Sequence, residues 1–305
     1  MDEIRLQLLK EVAGLHDIPT GAYNIRENGK SIGRSSTEEI EIVPMEDGSG
    51  LNIYVKPGTK KKSLHIPVII SESGLSEVVY NNFHIGADCD VTIIAGCGIH
   101  NGGSAASRHD GIHSFFIGEN ARVKYVEKHY GSGDGNGERI MNPETIVEMA
   151  KDSYMEMETV QIKGVDSTIR KTHAKLDDGA KLVVMERLMT HGKQTAESYF
   201  DVALNGRDSG ANIVSRSVAK DQSYQKFVSE LIGNTACNGH TECDAIIMDQ
   251  AKIVAVPELS ANDLNAALIH EAAIGKIAGE QIIKLMTLGL TEAEAEEKIV
   301  EGFLR

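Results

Sequence analysis

Short apolar runs separated by polar turns fill most of the chain. Leu51-Asn52-Ile53-Tyr54-Val55, His65-Ile66-Pro67-Val68-Ile69-Ile70, Val91-Thr92-Ile93-Ile94 and Lys181-Leu182-Val183-Val184-Met185 are each of strand length, and several alternate with period two. The turns between such runs also repeat. One seven-residue frame reads apolar, three mostly polar or small residues, a small residue, any residue, apolar. It begins at Ile85, Ile117, Met149, Leu176 and Ile247, and its small position is Cys89, Ala121, Ser153, Ala180 and Ala251. The first four copies start 32, 32 and 27 residues apart. Such a period in strand-rich sequence marks a stacked array. Small residues suit corners where neighbouring coils nearly touch. The pattern predicts a mainly β fold, a β-solenoid rather than a sandwich. The competing reading is a β-meander with coincidentally similar turns.

The two ends carry helical spacing instead. Ile4, Leu8 and Val12 lie four apart and predict a short amphipathic helix between Glu3 and Leu15. From Ala278 the apolar positions are Ile282, Ile283, Leu285 and Met286, and Gly289 stands where a helix stops on a left-handed residue. Thr291-Glu292-Ala293-Glu294 is a capping box that opens a second helix, which buries Ala295, Ile299, Val300 and Phe303. The expected organisation is an N-terminal segment with a helix and first strands (1–64), a β-helix core (65–277) and a C-terminal helical hairpin (278–305). A terminal hairpin of this kind serves as a docking surface or covers the open end of the solenoid.

Composition narrows the function. Among 305 residues, 41% are hydrophobic but only 5% aromatic, with no Trp, so the core must be built from Ile, Val, Leu, Ala and Met. The formal net charge of −14 argues against a nucleic-acid partner, which requires clustered Lys and Arg, and against an anionic membrane surface. The one basic run, Lys60-Lys61-Lys62, sits beside Pro57-Gly58 and reads as a solvated turn. No apolar run is long enough to span a bilayer, and Met1-Asp2-Glu3-Ile4-Arg5 lacks the start of a secretory signal, so a cytoplasmic protein with reduced cysteines is expected.

The chain has no P-loop, no nucleophile elbow and no CxxC, and His270-Glu271 lacks the second zincin His because position 274 is Ile. Gly131-Ser132-Gly133-Asp134-Gly135-Asn136-Gly137 is acidic and lacks a following Lys, and reads as a flexible, exposed loop. Two groups of metal-ligating residue types remain. One is Cys97 and His100, followed by His109 and His113, in a spacing that matches no common zinc module. The other is Cys237, His240 and Cys243, with His270-Glu271 farther on. On these residues alone, Cys243 before the apolar run Ala245-Ile246-Ile247-Met248 reads equally as a small buried hydrophobe at a strand entrance.

Several stretches resemble the SufB/SufD family of iron–sulfur cluster assembly scaffolds. Thr241-Glu242-Cys243-Asp244-Ala245 is similar to the T-x-C-D-apolar stretch of SufB proteins, and His270-Glu271-Ala272 through Ile277 to their H-E-A segment. Gly289-Leu290-Thr291-Glu292-Ala293-Glu294-Ala295 and Ile299-Val300-Glu301-Gly302-Phe303 resemble the family's C-terminal hairpin. Phe83-His84-Ile85-Gly86, Thr92 to Cys97 and Ile117 to Ala121 are similar to earlier parts of its core, so the resemblance runs from about residue 65 to residue 305.

The resemblance implies a right-handed parallel β-helix with a C-terminal helical part. It implies a scaffold for de novo cluster assembly, not an enzyme, working with a separate SufC-type ABC ATPase bound through 278–305. It implies a transient iron–sulfur cluster held by Cys243 and Glu271, with His240 or His270 as a further ligand, and the SufB rather than the SufD type, because both Cys and Glu are present. The 28 residues between Cys243 and Glu271, close to one repeat, would stack them on neighbouring coils. A homodimer through the last coils, a sulfur donor and apo-protein recipients complete the expected partners. The chain departs from long SufB proteins in having little of their N-terminal extension, no Cys between Asn142 and Met157 where the sulfur-accepting Cys is expected, and His240 in place of an aromatic residue. The group Cys97, His100, His109 and His113 is the rival metal site. The rival functions are a structural partner of the ATPase that holds no cluster and a β-helix enzyme acting on carbohydrate.

Overall fold

The structure is a computed structural model that describes residues 3–305. The chain opens with helix α1 (Glu3–Ala13) and the strands β1 (Ala22–Glu27), β2 (Lys30–Ser35), β3 (Ile40–Pro44), β4 (Gly50–Val55), β5 (Lys60–Ile70) and β6 (Ser76–Ile85). It continues with β7 (Asp90–His100), β8 (Ser107–Ile117), β9 (Arg122–Ser132), β10 (Arg139–Met141), β11 (Glu144–Met149), β12 (Tyr154–Lys163) and β13 (Ser167–Leu176). The last coils are β14 (Lys181–Thr190), β15 (Thr195–Leu204), β16 (Gly210–Ala219), β17 (Tyr224–Gly233), β18 (Asn238–Ile247), β19 (Lys252–Ala261) and β20 (Ala267–Gly275). Helices α2 (Gly279–Thr287) and α3 (Glu292–Phe303) close the chain.

Each coil gives one strand to each of two facing sheets. One sheet runs β2-β1-β5-β7-β9-β12-β14-β16-β18-β20, the other β19-β17-β15-β13-β10-β8-β6-β4-β3, with β11 between β8 and β13. From β5 onward all neighbours are parallel, which makes a β-solenoid of about 8 turns. Coil length is set by the turns: Val91 lies beside Val123, Tyr154 beside Lys181 and Asn238 beside Ala267. The first four copies of the repeated frame form one corner of the coil, the turn from the second sheet to the first, whereas the fifth, from Ile247, falls at the opposite corner between β18 and β19, where Ala251 is half-buried. Asp88, Asn120, Asp152, Gly179 and Asp208 take positive φ, and the next residue in each case (Cys89, Ala121, Ser153, Ala180, Ser209) is buried against the adjacent coil. Asp, Asn and Gly tolerate that left-handed conformation best.

Inward positions alternate with outward ones along every strand. Towards one edge the lumen is apolar, with Phe83 stacked on Phe115 at 4.4 Å and Ile, Val, Leu and Met above and below. The outer face is covered at two places. Leu8 and Leu9 of α1 pack with Ile25 and Ile69, and Leu8 and Val12 lie over Gly98 and Gly96, which leave no side chain in the way of the helix. At the other end α3 lays Val300 and Leu304 on Val218 and Ile246. The hairpin therefore lies along the side of the solenoid, and β19 and β20 at its end stay largely exposed. The capping box at Thr291 is present as the sequence implies.

The Gly-rich stretch differs from expectation. It is laminated, not loose: Gly135 donates to the Asn101 carbonyl at 3.1 Å and Gly137 to that of Gly103 at 2.9 Å. A Cβ at Gly131 would stand 1.9 Å from the Gly164 carbonyl oxygen. These glycines serve close backbone approach between coils, and acidity plus glycine was a misleading sign of mobility. The parallel ladder also begins before residue 65, since β4 pairs with β6 and β1 with β5. At that first end the ladder is terminated by antiparallel strands, β2 on β1 and β3 on β4.

Candidate functional site

Strands β18 and β20 carry the residues singled out at the C-terminal end. Their register pairs Thr241 with His270, Glu242 with Glu271 and Cys243 with Ala272. The last coil is thus one residue longer than the Cys243–Glu271 spacing. Because side chains alternate across a strand, that single residue decides the face. Cys243 points into the lumen, 1% exposed, while Glu271 points outward and stacks on Glu242. The stacking of Cys243 on Glu271 expected from their spacing does not occur.

On the outer face, His240 donates from Nδ1 to Asn212 Oδ1 at 2.8 Å, which leaves Nε2 to meet Glu271 Oε2 at 3.4 Å. His240, Glu242 and Glu271 offer ligand atoms within 4.8 Å of one another, the only such group of three or more His, Cys, Asp or Glu among the described residues. Burial, and then the neighbouring Asp244, raise the Glu242 carboxyl above its ordinary value. On the inner face, His270 Nδ1 lies 2.6 Å from Thr241 Oγ1, which in turn meets Ser229 Oγ at 3.1 Å. Burial, and then His240, lower the His270 pKa. Burial, with Glu186 and Asp244 adding to it, pushes the Cys243 thiol up to about 12. At neutral pH it is a protonated thiol, and a metal must displace that proton to bind. Cys237 is also buried, at the turn before β18, and does not face the outer group.

Cys243 stands at one end of a polar strip in the lumen. Its column runs Glu127, Thr159, Glu186, Ser215, Cys243. Ser198 and Ser215 each donate to Glu186 at 2.6 Å, and Arg170 bridges Glu186 and Glu127. Burial opposes charge on Glu127, but Arg170 and His129 outweigh it and hold the carboxyl well below its ordinary value. The strip continues through Tyr125, whose hydroxyl donates to Glu127 at 3.0 Å and accepts from His113 Nδ1 at 2.7 Å. His113 is neutral, its pKa lowered to about 4 by burial, and its Nε2 faces the Asn81 amide at 3.4 Å.

These bonds occupy the rival group. His109 faces Glu77 at 3.1 Å, and His100 meets Ser132 Oγ at 3.1 Å. Cys97 is buried, with its thiol pushed well up by burial and by Glu77 and Glu127. Cys97, His100, His109 and His113 do not converge on a common point within 4.8 Å. Two features escaped the sequence reading. Glu242 was missed although it shares inward–outward parity with His240 and lies one coil from Glu271. The lumen charges were missed although Val123, Tyr125, Glu127 and His129 continue one inward alternation.

Comparison with known proteins decides the family. A family model described as the SufBD core domain of SUF system FeS cluster assembly matches residues 69–303. The chain belongs to the SufBD family. An iron-sulfur cluster assembly SufBD family protein of Methanothermobacter thermautotrophicus is 30% identical over 260 residues, covering 84% of this chain and 62% of that protein. One from Archaeoglobus fulgidus is 29% identical over 282 residues, 90% of this chain and 73% of its own length. Another, from Methanocaldococcus jannaschii, is 29% identical over 265 residues, 85% and 82% of the two chains. The chain thus spans less than two thirds of the first of these SufBD relatives. Among the described residues, no helix is long and apolar enough to cross a membrane.

Proposed function

We propose that this chain is a scaffold subunit on which iron–sulfur clusters are built in the cytoplasm, the cluster being transient cargo and not a resident cofactor. The observation that supports the reading is that β18 and β20, neighbouring strands of the last two coils, carry Cys243 and His270 on their inner face and His240 and Glu271 on their outer face, separated only by the thickness of the sheet. Cys243 supplies the one soft ligand and holds sulfur. Glu271, with His240 or His270, supplies harder ligands for iron. A mixed set of this kind holds a cluster less firmly than four thiolates, which suits hand-over to recipient proteins. Because Cys243 is enclosed, assembly requires β20 to shift. β20 is paired on one side only, through β18, so it is held less firmly than the strands inside its sheet.

The energy for that shift comes from a separate ABC-type ATPase that docks on α2. None of the residues of α2 is buried, and Ile283, Met286 and Leu288 are exposed on or beside it. A second copy of the chain pairs through the open end formed by β19 and β20, where Val256, Leu259, Ile269 and Ile274 are exposed. Unpaired strand edges favour such pairing.

The test is anaerobic purification with the ATPase partner, followed by iron and sulfide analysis and visible absorption. Cys243→Ala is expected to lose most of both, Glu271→Ala part, and Cys237→Ser little. Unchanged iron and sulfide in Cys243→Ala, with loss in Cys97→Ala, would move the site to the other end of the lumen.

A further inference from the structure

The outer group of the last coil and the thiol of the same strand belong to different chemical classes. Glu242 and Cys243 are consecutive, yet the strand turns one outward and the other inward. Outside stand one imidazole and two carboxylates; inside stands sulfur among Glu186 and hydroxyls. We propose that His240, Glu242 and Glu271 form a binding site for a divalent first-row transition-metal ion on the outer face of β18 and β20, where ferrous iron is taken up apart from the Cys243 thiol. The assignment of iron as the ion rests on the scaffold reading; the ligand set does not.

Three observations support the site. First, its ligand atoms already lie within 4.8 Å of one another, so one ion can reach all three with small side-chain adjustment. Second, Asn212, one coil earlier, accepts from His240 Nδ1 at 2.8 Å, which fixes the ring and turns Nε2 toward Glu271, where a metal ion would replace any proton on it. A ligating imidazole ordinarily has its other nitrogen held in this way. Third, Glu242 and Glu271 stack directly, and neither forms a salt bridge with Lys or Arg among the described residues; Glu271 meets only His240. Arg216 stands beside Asp244, the next outward carboxylate along β18, which is hydrogen-bonded to Glu242, and the Arg216 charge acts on Glu242 more weakly than Asp244 does. Two like charges on adjacent strands repel, and a divalent cation between them removes the repulsion. One imidazole and two carboxylates, with the remaining positions open to water, suit ferrous iron, manganese or cobalt better than the thiolate-preferring ions.

The test uses Co(II) titrated anaerobically into the metal-free whole chain. Expected are one bound cobalt per chain, weak ligand-field absorption and no sulfur-to-cobalt charge-transfer band. Glu242→Gln, Glu271→Gln and His240→Ala should each weaken binding by about tenfold or more, and Asn212→Ala by about 10-fold through the ring it positions. Cys243→Ser serves as the probe for sulfur ligation. All five positions are on strands, so circular dichroism and the thermal midpoint are checked for each variant, and the agreement of several independent variants guards against misfolding of one. Binding unaffected by Glu242→Gln and His240→Ala would overturn the proposal. So would a charge-transfer band that Cys243→Ser abolishes. The two readings fail separately. Cobalt bound as described, in a chain that builds no cluster from iron and sulfide, leaves the site and removes the scaffold role. A cluster built at full rate by a Glu242→Gln chain that no longer binds cobalt removes the role of the site in iron uptake and leaves the scaffold.

Discussion

Replacing Arg170 with Met isolates the energetics of the lumen. Arg170 has 5% of its side chain exposed, and Glu127 and Glu186 have 4% each. Removing one partner of such a buried pair costs about 3–5 kcal/mol, because the remaining charge has no water to solvate it. For 305 residues the unfolding entropy is about 0.6 kcal/mol per K. If the solenoid melts as one unit, the midpoint falls by about 5–8 °C at pH 8. The pH dependence follows from Glu127. In the native chain its folded value is depressed, so its contribution is complete above the unfolded value of 4.5 and is lost only as pH falls through the folded value below that. Without the guanidinium, burial dominates and raises the folded value. The penalty is then present at high pH and relieved as pH falls toward 4.5. The difference in midpoint between Arg170→Met and the native chain should therefore shrink from pH 8 to pH 5. Calorimetry at both values measures it. Adding Glu127→Gln and Glu186→Gln should recover most of the loss. A deficit below about 1 °C, or one that does not change with pH, would refute a charge-paired lumen.

Other consequences are open to direct measurement. All four cysteines are buried and Cys243 is protonated, so a maleimide at pH 7 should label fewer than one thiol per native chain within minutes and four after denaturation; rapid native labelling of Cys243 would show that β20 opens without a partner. Ile283→Asp with Met286→Asp should abolish co-purification with the ATPase while leaving stability within about 0.5 kcal/mol, since both side chains are exposed. These substitutions are a cleaner probe than deleting 278–305, which would also uncover Val218 and Ile246. Val256→Lys with Ile269→Lys should convert a dimer to a monomer by light scattering, and a native chain that is already monomeric with its ATPase bound would contradict pairing through β19 and β20.

The sequence displayed the architecture because a solenoid writes its period into its corners. Cys89, Ala121, Ser153 and Ala180 had to be small, and the helix ends at Gly289 and Thr291 obey local rules that need no tertiary information. The candidate site was legible as residue types on two consecutive coils but not as a geometry. Whether Glu271 joins Cys243 or faces away depends on the length of the turn between Ala261 and Ala267 to a single residue, and no local signal in Asn262–Ala266 states that length in advance. The lumen network was hidden for a different reason. Arg170 and Glu127 are 43 positions apart and meet only because two coils and two sheets bring them face to face. Inward parity marks each one as odd, but it does not name the partner. The Gly-rich stretch misled because close packing and looseness draw on the same residue.

The two ends of the solenoid are not equivalent, and this limits how large an assembly can grow. A filament of stacked solenoids needs a free parallel edge at both ends, so that each chain receives one neighbour and offers a place to the next. Here the first end is closed by the antiparallel strands β2 and β3, with Lys30 and Arg34 on one and Glu41 and Pro44 on the other. Charges and proline are poor templates for another strand. Only the β19 and β20 end offers a free parallel edge. If chains pair through that end, as proposed, association should stop at two, and raising the concentration should fill dimers instead of lengthening fibres.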